Sequence, residues 1–373
     1  MGKHLVLVGG GHAHMVTLDR LHTFVEKGHR VTVIGPSDHH YYSGMGPGML
    51  GKTYTPAEIR FATRHVVEKQ GGAFIRDKVV AVLAAEKQVV LASGDSVGYD
   101  VVSFNAGSYV PRLDLPEDAK DVYAVKPIER LMEAQARILE LAADKKIAIG
   151  ILGGGPSSAE VAGNIWQLVR AAGGEMPQIT IFAGKRFMSR FPDNVRAKVQ
   201  QSLTQRGIEI NTRGYVSAVQ SGTVTLDCGE SRTLDFIVLA IGVTPNPLFK
   251  ASGLATGPDG GLRVNEFLQS VDHPEMFGGG DCIYFQKQPL DKVGVYAVRQ
   301  NPILYHNLMA ALEGTPLQPF DPGGDYLLIF NLGGGIGVLR KRWLLLKGSA
   351  AFKIKDYIDR KFMRTFQAIE KQR

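Results

Sequence analysis

The chain has 373 residues, with 44% hydrophobic and 21% charged residues, the proportions of a globular protein long enough for two or three domains. Its two cysteines, Cys228 and Cys282, provide neither a disulfide framework nor a thiol-based zinc site. The formal net charge of +7 is uneven: positions 340–373 hold 11 Lys/Arg against 3 Asp/Glu, a surplus of +8 that leaves the rest near neutrality.

Residues 3–8 predict a strand that runs into Gly9-Gly10-Gly11, then a helix over 14–27 and a second strand at 30–34. A strand–glycine–helix turn of this kind brings backbone N–H groups against a pyrophosphate at a helix N-terminus. The third position of the pattern, which ordinarily holds Gly or Ala, is His14. The acidic residue expected to grip a ribose at the end of the second strand is replaced by Gly35-Pro36-Ser37-Asp38, with Asp38 as the candidate. His12 and His14 are read either as hydrogen-bond donors to the ligand or as packing residues. His39-His40 reads as a turn pair, and no metal site is expected.

Short strands are predicted at 73–76, 79–84, 88–92 and 101–105. The strand–glycine–helix unit then recurs: a strand at 147–152, Gly153-Gly154-Gly155, a helix through Val169 and a strand at 178–182. It is followed by strands at 208–211, 216–220, 223–227 and 236–240. Each half reads as a Rossmann unit followed by a small antiparallel element. Two such units imply two dinucleotides, one FAD and one nicotinamide nucleotide. Phe277-Gly278-Gly279-Gly280-Asp281 adds a glycine turn with a carboxylate suited to a ribityl hydroxyl. A hairpin is expected at 326–331 and 337–339, and a helix at 352–369. The expected fold is α/β, with two interleaved Rossmann-like domains. Residues 1–112 and 260–320 form the FAD-binding domain, 113–259 the NAD(P)-binding domain, and 321–373 a hairpin and basic amphipathic helix.

The ordered set VGGGHAH (8–14), SFNAGS (103–108), ILGGGPSSAEVAG (151–163), VLAIGVTPN (238–246) and MFGGGDC (276–282) resembles the two-dinucleotide-binding flavoproteins of the pyridine nucleotide-disulfide oxidoreductase superfamily. Type II NADH dehydrogenases are a near branch. Nearer still is the flavoprotein module fused to selenophosphate synthetase, which YYSGMGPGMLGK (41–52), AVKPIERL (124–131), GVYAVRQNPILYHNL (294–308) and IKDYIDRKFMRTFQ (354–367) resemble. The resemblance implies FAD at Gly9, Gly11, His12, Ala13, His14, Asp38, Tyr42, Ser43, Ala106, Gly107, Lys126, Gly280, Asp281, Val295, Tyr296 and Ala297. It implies NAD(P)H at Gly153, Gly155, Ser158, Lys185, Arg186 and Gly242. Glu160 resembles the carboxylate near the nicotinamide–flavin contact of type II dehydrogenases; the alternative is a carboxylate favoured by its helix N-terminus.

Three departures qualify this. The second unit ends in Ala183-Gly184-Lys185-Arg186 instead of an acid, which suits the 2′-phosphate of NADPH or else a degenerate site with two solvated charges. The glutamine pair of type II dehydrogenases is replaced by Val295 and Arg299, leaving the quinone open as acceptor. The loop 39–50 lacks cysteine, so no thiol relay is expected, and both cysteines read as buried, unreactive thiols.

The expected activity is NAD(P)H:acceptor oxidoreduction through FAD to a quinone-like molecule. The alternatives are oxidation of a reduced sulfur or selenium species and a flavin-binding regulatory protein. Ile354, Tyr357, Ile358, Lys361, Phe362, Thr365, Phe366 and Ile369 fall on one helical face. That face suits an anionic membrane surface, or docking on the protein's own body or on a second copy in a homodimer. No nucleic-acid partner is expected. Residues 5–8 are too short and too close to glycines for a secretory leader, and no apolar run reaches the roughly 20 residues of a membrane span. The expected location is the cytoplasm, with a peripheral place on the membrane as an option.

Overall fold

The computed structural model describes residues 2–111 and 120–371; the expected domain boundary at 112/113 falls outside them. Two parallel five-stranded sheets organise the molecule. The first runs Met276–Gly278, Val101–Phe104, His4–Val8, Arg30–Gly35, Ala73–Arg76. The second runs Val122–Ala124, Phe236–Leu239, Ala148–Leu152, Gln178–Phe182, Glu209–Asn211. Of their inner strands, His4–Val8 and Phe236–Leu239 are buried at every position. Continuous apolar runs are what a sheet covered on both faces demands.

Four of the short strands expected in antiparallel elements belong instead to these sheets: Ala73–Arg76, Val101–Phe104, Glu209–Asn211 and Phe236–Leu239. The antiparallel elements are three-stranded insertions between them, Val79–Leu83, Gln88–Leu91, Ser96–Gly98 and Val216–Gln220, Thr223–Leu226, Ser231–Thr233. The third strand of each is largely exposed, so it carries no apolar signal. The strand Met276–Gly278 shows how the halves interleave, because it returns after the second sheet to complete the first. The two crossing segments pair with each other as Ser108–Tyr109 against Thr244–Pro245.

The helix expected over 14–27 is broken into a 3-10 turn at His12–His14 and helices Met15–Asp19 and Leu21–Glu26, with Arg20 off the helical conformation between them. The helix of the second unit is continuous, Pro156–Ala172, with Pro156 in its first turn and Gly173 left-handed at its end.

The C-terminal hairpin is a three-stranded sheet, Leu328–Asn331, Gly337–Lys341 and Leu344–Gly348, followed by a helix, Ser349–Lys371. It joins the two halves. On one side a Cβ at Gly163 would lie 1.9 Å from the Leu332 carbonyl oxygen, so the hairpin meets the Pro156–Ala172 helix backbone to backbone. On the other, the Glu370 carboxylate accepts from the Ala62 N–H at 2.8 Å and Gln367 donates to the carbonyls of Ala57 and Arg60. Met363 packs into the core around the second sheet and Ile369 into that around the first.

This docking corrects the expected apolar face. The buried stripe is Ala351, Lys355, Asp359 and Met363, at a spacing of four, with Phe362, Phe366 and Ile369 packed inward further on. Ile354, Tyr357 and Ile358 face solvent.

Candidate functional site

The first glycine turn is tight for identifiable reasons. Gly9 has φ +90°, and a Cβ there would sit 2.3 Å from the Asn105 carbonyl oxygen. A Cβ at Gly11 would come within 2.8 Å of the Asn105 side-chain amide. That amide nitrogen is buried with no protein partner, and so is the Thr63 hydroxyl beside Gly10. Buried polar groups are ordinarily paired. Two orphans against a glycine turn fit the polar groups of a dinucleotide such as FAD.

His14 is not free to join them. Its Nδ1 lies 2.6 Å from the Gly9 carbonyl oxygen and its Nε2 2.8 Å from the Ser103 hydroxyl. With both ring nitrogens engaged it is a strut between the turn and the Val101–Phe104 strand, and burial lowers its pKa to about 4. These two contacts fit the packing reading of His14. Asp38 is held by Arg64 at 3.3 Å, with Arg76 at 4.0 Å.

Asp281 sits at the opposite side of the first sheet's carboxyl end. Its carboxylate accepts from Lys126 Nζ at 2.9 Å and from the Ser108 hydroxyl at 2.7 Å. Burial opposes its charge, but the Lys126 ammonium and the Ser108 hydroxyl outweigh burial and keep the carboxyl below its ordinary pKa. Gly280 donates its N–H to Gln300 at 2.7 Å, on the helix Gly294–Glu313. Val295, Tyr296 and Ala297 form the first turn of that helix. Ala13 approaches Gly279, where a Cβ would lie 2.7 Å away.

Between the two halves lies a cluster that the sequence only partly announces. His12 stacks on Phe362 with centroids 5.5 Å apart, packs on Tyr42 at 4.9 Å, and lies 3.4 Å from His40 between ring nitrogens. Burial, the largest influence on both, lowers His12 to about 4 and His40 to about 3. His40 is therefore part of the cluster, not simply half of a turn pair. Tyr42 donates its hydroxyl to Asp359 at 3.1 Å. Lys355 Nζ donates to the other Asp359 oxygen at 2.7 Å and to the Gly44 carbonyl, next to Ser43, at 3.0 Å. Glu160 accepts from the Asn331 N–H at 2.8 Å. Burial raises the Glu160 pKa from 4.5 to about 7, and Lys355 only partly relieves it. Burial disfavours the Lys355 charge, but Asp359 and Glu160 override it and hold the pKa above the ordinary lysine value. A carboxyl raised to about 7 thus lies within the influence of a lysine held as a cation. Among the described residues no group of three or more His, Cys, Asp or Glu could hold a metal ion.

The second turn repeats the first. Gly153 has φ +128° and a Cβ there would meet the Ala240 carbonyl oxygen at 2.1 Å. Gly155 caps the helix with open space before it, and the Ser158 hydroxyl is buried without a protein partner. Gly242, with φ +100°, faces open space across the sheet edge. Lys185 and Arg186 are exposed at the end of Gln178–Phe182, and Arg186 pairs with Asp193 at 2.9 Å.

The cysteines divide. Cys282 is buried, donating weakly to the carbonyls of Phe104 and Gly279, and burial pushes its thiol up to about 11. Cys228, expected to be buried, is exposed, because it lies in the turn between the strands Thr223–Leu226 and Ser231–Thr233. Neither belongs to the cluster around Tyr42.

Residues 3–308 match the family model for pyridine nucleotide-disulphide oxidoreductases, and the chain belongs to that family. The FAD and NAD(P)H expected from the sequence are the cofactors of this family, and the protein is an NAD(P)H-dependent flavin oxidoreductase of NADH dehydrogenase type. Demethylphylloquinone reductase NdbB of Synechocystis is 26% identical, across 93% of this chain and 89% of its own. Solved structures share the fold, among them the following two. Sulfide:quinone oxidoreductase of Aquifex aeolicus matches with a TM-score of 0.81 at 16% identity, over 99% of this chain and 92% of that one. NDH2 of Plasmodium falciparum in complex with NADH matches with a TM-score of 0.80 at 15% identity, over 100% of this chain and 98% of that one.

Proposed function

We propose that the protein passes electrons from NADPH, through FAD, to a quinone. The supporting observation is the enclosed Glu160–Lys355–Asp359–Tyr42 cluster between the two glycine turns. Reducing a quinone to a hydroquinone takes two electrons and two protons. The electrons and one proton would come from reduced FAD, which leaves one proton for the protein to provide. Glu160 carries a proton up to about pH 7 and hands it to an acceptor oxygen, while the Lys355 ammonium stabilises negative charge developing there. FAD supplies the hydride-accepting and electron-passing chemistry. In this reading the half containing 1–112 and 260–320 holds FAD, with Gly9, Gly11, His12, Tyr42, Ser43, Ala106, Gly107, Lys126, Gly280 and Asp281 as its contacts. Residues 113–259 hold the nicotinamide nucleotide. The nearly full-length similarity to a demethylphylloquinone reductase supports the choice of acceptor. Cys228 lies in a surface turn and Cys282 is a buried thiol pushed up to about 11, which argues against a sulfur relay.

Anaerobic mixing with NADPH, then with a soluble quinone, tests this. Flavin absorbance should bleach on the first addition and return on the second. No bleaching by NADPH or NADH would exclude the donor; bleaching without recovery would exclude the acceptor.

We further propose that the C-terminal region rests on an anionic membrane surface. Ile354, Tyr357 and Ile358 are exposed among Lys353, Lys361 and Arg364, and Trp343 is 89% exposed beside Lys341 and Arg342. Among the described residues no helix is long and apolar enough to cross a membrane. Changing Ile354 and Ile358 to Glu should abolish sedimentation with anionic vesicles at low salt. Equal sedimentation would refute the placement.

A further inference from the structure

Tyr215 has no part in the sequence reading, yet it stands beside the second nucleotide turn. It lies beyond the strand Glu209–Asn211, which pairs with Gln178–Phe182, the strand that ends in Ala183-Gly184-Lys185-Arg186. One edge of its ring lies against Gly184: a Cβ at that glycine would come within 2.5 and 2.7 Å of two ring carbons. Gly184 has φ +68° and forms a β-bridge with Gly214, so both the conformation and the close approach call for glycine.

The platform is anchored. The Asp227 carboxylate accepts from the Tyr215 N–H at 3.0 Å, and the Asp227 N–H donates to the Tyr215 carbonyl at 2.8 Å. A Cβ at Gly214 would lie 2.1 Å from the same carboxylate, which fixes the turn before the ring. Despite this rigid seat Tyr215 is 57% exposed, so the ring packs on Gly184 along one edge while much of it stays open to solvent. The exposed cations Lys185 and Arg186 follow Gly184 directly, and Arg213 lies two residues before the tyrosine. Arg186 is shared with Asp193 at 2.9 Å and Arg213 with Glu230 at 3.1 Å, so an exposed aromatic ring stands beside cations, Lys185 foremost, a setting that matches a purine carrying phosphate. Stacking does not depend on hydrogen-bond readout of the base.

We propose that Tyr215 is the adenine platform of the nicotinamide nucleotide, stacking its exposed ring on the purine while Lys185 and Arg186 meet the adenosine phosphate. This rests on the reading that the second glycine turn takes NAD(P)H. It adds a determinant from a different loop, one that acts on NADH and NADPH alike. Discrimination between the two stays with the cations.

The test uses the FAD-loaded full chain with Tyr215→Ala and Tyr215→Phe. Dissociation constants for NADP+ and NAD+ are measured by calorimetry, and flavin reduction is followed with NADPH and with reduced nicotinamide mononucleotide, which lacks the adenosine. Base–aromatic stacking is of a size that makes its loss worth about tenfold in affinity. Tyr215→Ala should weaken both dinucleotides by about that factor, leave reduction by the mononucleotide unchanged and leave the limiting rate with NADPH unchanged. Tyr215→Phe should behave as the parent. Unchanged dinucleotide affinity in Tyr215→Ala would overturn the proposal, as would an equal loss with the mononucleotide. If the parent itself neither binds nor is reduced by a dinucleotide, the donor reading falls and the platform with it. A parent that binds while Tyr215→Ala is unaffected sinks the platform alone.

Discussion

Replacing Glu160 by Gln isolates the proton carrier. Burial lifts this carboxyl from 4.5 to about 7, so between those pH values the folded chain holds a proton that the unfolded chain has released. Stability therefore falls as pH rises through that window, and the penalty is complete above about pH 7. A shift of that size corresponds to about 3 kcal/mol. Gln keeps the oxygen that accepts from the Asn331 N–H and cannot ionise. In urea unfolding of the FAD-saturated protein, Glu160→Gln should gain on the parent as pH rises from 5 to 8, by up to that amount, and by nothing further beyond. In turnover the effect reverses: losing the acid should slow quinone reduction about a hundredfold below pH 7, leaving bleaching by NADPH intact. The parent's acceptor step should slow as pH rises past about 7, and that limb should vanish in the variant. A stability difference that does not change between pH 5 and 8 would refute the raised carboxyl. A variant slowed equally in both half-reactions would refute its assignment to the acceptor step.

Asp281→Ala should weaken FAD retention at least tenfold, read by flavin released on gel filtration, because it also leaves the Lys126 ammonium without its carboxylate partner. Changing Lys185 and Arg186 together to Ala should lower the NADPH-to-NADH preference by about tenfold, measured as the ratio of kcat/KM values. Gly163→Ala places a methyl group 1.9 Å from the Leu332 carbonyl oxygen and should lift the C-terminal hairpin from the Pro156–Ala172 helix. A cost of about 2 kcal/mol, seen as a lower melting temperature with faster proteolysis around Gly333–Gly335, is expected.

Much of the frame was legible because glycine and apolar runs carry unambiguous instructions. The two glycine turns, the strand Gln178–Phe182 and the Gly280-Asp281 turn stand where the sequence puts them. What stayed hidden depends on long-range pairing. Val122–Ala124 is three half-buried residues, and only its place beside Phe236–Leu239 makes it a sheet strand. Asn105 looks like a strand-end polar residue until Gly9 and Gly11 close around it. His14 sits at a ligand-binding motif position, yet a local hydrogen bond to Gly9 and a distant one to Ser103 engage both of its ring nitrogens. Lys355 and Asp359 were the hardest, since a charged pair on an amphipathic helix ordinarily marks the solvated face. Here their mutual hydrogen bond, with Gly44 and Tyr42 as further partners, lets that stripe face inward and turns Ile354 and Ile358 outward.

That inversion explains why the C-terminal element matters to the chemistry. Burying a lone lysine or aspartate is expensive, and burying the pair is tolerable only with its remaining hydrogen bonds satisfied. Gly44 and Tyr42 from the first half supply them, while the Asn331 N–H, from the hairpin bolted to the second half, binds Glu160. Each polar group in the cluster is thus satisfied across a boundary: flavin half to C-terminal helix, nucleotide half to hairpin. An apolar tail could hold the halves together equally well. It could not place an ammonium near a carboxyl poised at neutral pH. The buried charges thus stand where the two halves and the C-terminal element meet, the place at which the proposed acceptor would take up electrons with protons. The same requirement frees the apolar residues of the helix for the outer surface, where the acceptor, if it is a lipid-soluble quinone, would be met.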